Sequence, residues 1–155
     1  MKILANIVWL LTGGWLIGLL YLLGAIVFFP LLPFLYPLIG YGFWPFGRRA
    51  VSKGRLEDYR KIVGNVDDNP SGAVKAVGVV ANVLWALTFG WLLALAHLLG
   101  SFINLIFFWL VITIPNIVGH WKLIPTAFTP FRRVVISSVL ADEMDLALEK
   151  RKHGI

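Results

Sequence analysis

Two stretches of the chain carry no Asp, Glu, Lys or Arg: residues 3–47 and residues 76–121. At 45 and 46 residues, each is about twice the run of about 20 apolar residues that one membrane-crossing helix needs. The pattern predicts four membrane segments, at residues 4–23, 25–46, 78–99 and 101–121, in an all-α integral membrane protein. Polar stretches separate and follow them. Within residues 48–75 the periodicity predicts a short amphipathic helix over 55–63 and a turn-rich loop over 64–72, where Asp67 and Asp68 read as turn formers. Residues 134–152 predict a soluble helix, with Leu140, Met144, Ala147 and Leu148 on one face. Its acids come early and its bases late, an order that complements the helix dipole.

The apolar pattern is written twice. Residues 5–24 and 81–100 are identical at twelve of twenty positions at an offset of 76, including Asn6/Asn82, Trp9/Trp85, Thr12/Thr88, Gly14/Gly90 and Gly24/Gly100. Gly14 and Gly18 are four apart, which puts two small residues on one helix face and permits close helix approach in lipid. Gly90 and Ala94 hold the same two places in the second copy.

The segments that follow the two copies differ from them in texture. Pro30, Pro33, Pro37 and Pro45 interrupt the second segment, and Pro115 interrupts the fourth. Proline removes a backbone donor and kinks or breaks a helix, so both are expected as Pro-broken return segments, after turns near Gly24 and Ser101, that span or re-enter. Leu123 to Phe131, with Pro125 and Pro130, reads as an interfacial connector. The predicted organisation is two tandem, parallel helical hairpins: a membrane repeat over 1–50, a linker over 51–75, a second repeat over 76–136 and an amphipathic tail helix over 137–155.

Charge sets the orientation. If each half enters and returns, all fourteen Lys and Arg residues lie on one side, which the positive-inside rule makes the cytoplasm. The termini and the linker are therefore expected there. The net charge of +6 is then a topology signal and an anionic-lipid contact, and nucleic acid is not an expected partner. The chain has no cysteine, which excludes disulfides and thiolate chemistry.

Asn82-Val83-Leu84-Trp85, Phe89-Gly90-Trp91, His97, Ile112-Thr113-Ile114-Pro115 and Pro130-Phe131-Arg132-Arg133-Val134-Val135 together resemble the YccF family of bacterial inner-membrane proteins. The resemblance implies a small inner-membrane protein with two copies of an inner-membrane component domain. The chain departs from the family pattern at Thr113, where a glycine is usual, and before Arg132, where a glycine is missing.

Candidate chemistry is sparse. No carboxylate, Lys or Arg lies within the segments, and the titratable groups there are His97 and His120. Both are expected as interfacial rings with a wet tip, and two imidazoles without further donors make a poor zinc site. Asn6, Asn82, Thr12, Thr88, Asn104, Thr113 and Asn116 are candidates either for interhelical hydrogen bonds or for lining a pore. Arg48, Arg49, Arg132 and Arg133 form an expected cytoplasmic basic collar. No cofactor, metal or catalytic residue is expected. The sequence points to a non-enzymatic, homo-oligomeric pore or channel subunit without energy coupling. The alternatives are a scaffold or accessory subunit that binds a partner protein through linker and tail and, more distantly, a lipid-modifying enzyme.

Overall fold

The computed structural model describes residues 2–65 and 71–155; the expected turn at Asp67 and Asp68 lies outside the described residues. In the first half, α1 (Lys2–Trp9) runs into α2 (Trp15–Val27) through a π-turn at Leu10–Gly14. In the second, α5 (Gly72–Trp85) runs into α6 (Trp91–Ile106) through a π-turn at Ala86–Gly90. End to end these apolar helices, the first kinked at Thr12 and Gly13, have 26 and 35 residues, or at most about 39 and about 52 Å at 1.5 Å per residue. Both exceed the roughly 30 Å of hydrocarbon in a bilayer. Each is followed by a shorter return helix, α3 (Leu32–Phe43) or α7 (Ile114–Phe128). With 12 and 15 residues, these reach only about 18 and about 22 Å. Two helices therefore have the length to cross a membrane.

The turns fall later than the sequence suggests. Gly24 does not end its helix; it lets the other half approach, since a methyl there would sit 2.6 Å from the Trp85 ring. The chain breaks instead at Phe28–Leu31, and in the second half at residues 107–113. Pro30, Pro33 and Pro115 each occupy the first turn of the helical segment that follows, where a missing N–H costs nothing. They start the return segments rather than interrupting them. Pro37 and Pro125 lie inside α3 and α7, so the expected connector at 123–131 is mostly helix.

Large apolar side chains such as Leu11, Leu87, Phe102, Trp109 and Val111 stand exposed along these helices. Only 33% and 28% of the most apolar window of each long helix is buried. A water-soluble monomer does not keep so much contiguous apolar surface, whereas lipid solvates it. Between the halves lies one core containing Trp9, Tyr21, Leu35, Leu38, Trp85, Leu93 and Leu123.

The structure is all-helical in class, with one short strand pair that the sequence does not predict. β1 (Arg48–Ser52) and β2 (Arg133–Ser137) pair antiparallel, with Ala50 opposite Val135. The β-branched run Val134-Val135-Ile136, read as the start of the tail helix, suits a strand better than a helix once β1 offers it a partner. Ser52 and Ser137 end the two strands and cap the next helices, accepting from the backbone N–H of Arg55 and of Leu140 at 3.2 Å each. α4 (Lys53–Ile62) and α8 (Ser138–His153) then pack together over Val51, Tyr59, Ala141 and Met144. The expected linker and tail thus form one polar head. Arg49 pairs with Asp142 and, at 2.6 Å, with Asp145, which also takes Arg55 at 2.8 Å. The Tyr59 hydroxyl donates to Glu143 at 2.9 Å, and that hydrogen bond raises the phenol pKa.

Candidate functional site

Three residues before its tryptophan, each long helix carries an asparagine that clasps the chain where it leaves its return helix. Asn6 donates to the Phe46 carbonyl at 3.0 Å and accepts from the Phe46 N–H at 2.9 Å. Asn82 makes the same two bonds with Phe131, at 3.1 and 2.9 Å. One turn on, the Trp9 indole donates to the Gly42 carbonyl at 2.9 Å and the Trp85 indole to the Ala127 carbonyl at 2.8 Å. Trp9 meets Phe46, and Trp85 meets Phe131, edge to face with ring centroids 6.0 and 5.9 Å apart. Thr12 and Thr88 turn their hydroxyls back to Val8 and Leu84, at 2.8 and 2.7 Å. Such back-bonds suit a helix that is already kinked.

The two tryptophans part company on their other side. Trp85 is lined by Phe28 and Phe89, at 5.5 and 5.3 Å. Trp9 is lined by His120 and His97, at 4.4 and 6.5 Å. The two imidazoles touch, Nδ1 to Nδ1, at 3.1 Å. A hydrogen bond between them needs one Nδ1 to donate and the other to accept. Each Nε2 is buried without a partner. Nearby, the Asn116 amide donates to Thr12 at 2.6 Å and to Asn104 Oδ1 at 3.3 Å, and Asn104 donates to the Gly100 carbonyl at 2.8 Å. Asn116 Oδ1 has no partner either. Thr113 closes the α6–α7 turn through the Phe107 and Leu110 carbonyls, at 2.9 and 3.0 Å.

His97 and His120 are therefore not interfacial rings; they are 0% and 1% exposed. The reason is the placement of the turn. Because α6 runs on to Ile106 before the chain reverses, positions 97 and 120 face each other between antiparallel helices. His120 also lies edge-on against Gly100, where any side chain would strike the imidazole. Among the described residues, no group of three or more His, Cys, Asp or Glu gathers in a metal-holding arrangement.

Apart from Trp9 and Thr12, this cluster sits on a segment that known sequences identify. Residues 80–133 match the family model of the YccF inner membrane component domain. The matched YccF segment contains Asn82, Trp85, both histidines, Asn104, Asn116 and Phe131. Together with the exposed apolar helices, this match points to a membrane protein. No curated protein and no solved structure matches the chain.

The remaining candidates are placed as follows. A methyl on Gly18 would strike Phe43, and one on Gly42 would sit 3.2 Å from the Gly18 Cα, so this pair sets the close approach of α2 to α3. Gly14 and Gly90 leave room for Trp9 and Trp85 of their own helix, and Ala94 is buried. The four arginines gather at the two strands, but Arg49 is paired with acids of α8. Arg133 donates to the Thr129 carbonyl at 2.7 Å, and Arg132 lies 3.7 Å from Glu57. What sequence reasoning missed was the partner set of the tryptophans and asparagines. The signal was a second offset: Pro30/Pro115, Gly42/Ala127 and Phe46/Phe131 recur at 85 rather than 76.

Proposed function

We propose that the chain is a two-copy YccF-type protein of the bacterial inner membrane, with both halves entering and returning to the cytoplasmic side. There it acts as a non-enzymatic scaffold or accessory subunit that presents the polar head to a partner protein. The observation that carries this reading is the double Asn clasp, with the strand pairing beyond it. Asn6 and Asn82 turn their amides inward to the Phe46 and Phe131 backbone, leaving an apolar outer surface for lipid. The ends of both return helices are sewn to one sheet, so the head is held at a set angle to the membrane part. On its outer side α8 exposes Val139 and Leu146.

A photo-crosslinker placed at Val139 or Leu146 is expected to trap one discrete species in intact cells, while one at Leu11 traps none; equal capture at all three sites, or at none, rejects the reading. The natural chain has no cysteine, so single cysteines at Ser71 and Ser137 report topology directly. Both should resist a membrane-impermeant thiol reagent until the membrane is opened. Labelling of Ser71→Cys in intact spheroplasts would reject the parallel arrangement.

A second reading, an oligomeric non-energised pore, draws support from the buried cluster, where Asn116 Oδ1 and both imidazole Nε2 atoms lack protein partners. It requires ion flux through purified protein in liposomes that Asn116→Leu reduces. A tight bilayer under all gradients removes it.

A further inference from the structure

On the Trp85 side, the two halves leave an open trough. One cavity of about 440 Å³, between Phe28 and Leu31 of the first turn and Val80 and Leu84 of α5, adjoins another of about 550 Å³ that reaches the head. Leu31, Val77 and Ala81 line both, so the two are one continuous channel along α5. Its walls are apolar throughout the membrane part. Lys53, Glu57 and Arg132 line its mouth at the head end.

The dimensions match one component of a bilayer. From Ala73 to Leu84, α5 rises about 16 Å, close to the half-thickness of a hydrocarbon core of roughly 30 Å. The charge falls where a phospholipid headgroup begins. Arg132 offers a buried Nη1 with no partner, and its Nη2 holds Glu57 only loosely at 3.7 Å. Lys53 is exposed at the first turn of α4. Two cations and one carboxylate leave the mouth net positive. The N-terminus of α5 opens on the same mouth through Ala73 and Val74, and its dipole adds to that sign.

The placement of Arg132 is itself unusual. It has φ of +64°, a conformation that is costly for a side chain of its kind, and in the first half the matching position is Gly47. Gly78 makes room for the Arg132 stem, since a methyl there would sit 2.5 Å from Cδ. Glycine opposite arginine lays the stem against α5 and sets the guanidinium at the mouth of the trough.

We infer that this trough is a specific site for one anionic phospholipid of the surrounding bilayer, with an acyl chain against Val77, Ala81 and Leu84 and the phosphate at Arg132 and Lys53. It is separate from the polar cluster and does not depend on which partner the head binds.

The test is lipid retention by the full chain under native mass spectrometry, with phosphatidylglycerol and phosphatidylcholine of identical acyl chains as probes. The expected result is one phosphatidylglycerol held per chain at detergent levels that strip phosphatidylcholine. Lys53→Gln, a change on an exposed helix surface, should lower that retention several-fold, and Lys53→Gln with Arg132→Gly should lower it about tenfold or more. Arg132→Gly restores the residue type found at Gly47 and so keeps the backbone turn. Ala81→Leu should fill the trough and reduce retention of both lipids. Equal retention of the two lipids by the native chain overturns the inference, as does undiminished selectivity in the double variant. Displacement of the lipid by inorganic phosphate alone would overturn the acyl-chain part and leave only an anion site.

Discussion

The two tryptophans are held alike and surrounded differently. Trp9 and Trp85 each donate to a carbonyl near the end of a return helix, and each meets a phenylalanine edge to face. Each also reaches across to the other half. There Trp85 finds Phe28 and the bare backbone of Gly24, whereas Trp9 finds His97, His120 and the neighbourhood of Asn104 and Asn116. At the matching offsets, Tyr21 stands for His97, Phe28 for Asn104, Leu31 for Asn116 and Leu35 for His120. One pocket is dry and opens sideways as a trough. The other is polar and closed, with nine more residues between Gly100 and Pro115 than between Gly24 and Pro30. The anchor is common property of the fold; the polar lining is not required to build it.

Truncating either anchor should have the largest effect. Trp9→Ala and Trp85→Ala should each cost about 3–5 kcal/mol, read as unfolding in mixed micelles. In lipid the loss comes from packing and the indole hydrogen bond rather than from water exclusion. A much milder Trp9→Ala would mean that the polar pocket does not use its ring as a wedge. Next come the clasps. Asn6→Ala and Asn82→Ala should each cost about 1–3 kcal/mol, because each strands an N–H and a carbonyl at a buried crossing. Unequal losses in the same unfolding assay would show that one half carries more of the stability.

The histidine pair gives a sharper contrast. His120→Leu alone leaves the His97 Nδ1 unpaired and should cost about 1–3 kcal/mol. Adding His97→Tyr copies the Tyr21 and Leu35 arrangement of the first half, and the double variant should return to within about 1.5 kcal/mol of the parent. A thermal melt that shows additive losses would mean that the imidazoles do more for the fold than hold each other.

The smallest effect concerns the head. Hydrogen bonding to Glu143 raises the Tyr59 pKa, so folding favours the protonated phenol. That contribution is complete below the ordinary phenol value of 10.0 and is lost as pH rises from there through the raised folded-state value. Circular-dichroism melts of the parent should therefore fall more steeply above pH 10 than those of Tyr59→Phe; parallel curves would show that this bond adds nothing.

Local chemistry made several elements legible in advance. The absence of charge over residues 3–47 and 76–121 marked the apolar helices, the acid-to-base order of the tail marked α8, and the offset of 76 paired Asn6 with Asn82. All three depend on near neighbours or on composition, which a linear reading senses directly. The strand pair was hidden because Ala50 and Val135 are far apart in the chain, and β-branched residues become a strand only when a partner edge arrives. The burial of His97 against His120 was hidden for a related reason. It depends on where the α6–α7 turn closes, and a shift of a few residues there would carry either imidazole to another face. Sequence alone determined that the chain's long helices are apolar enough for lipid and that the first of them is written twice. Tertiary structure decided which of its two equivalent pockets became polar, because that lining comes from residues of the opposite half.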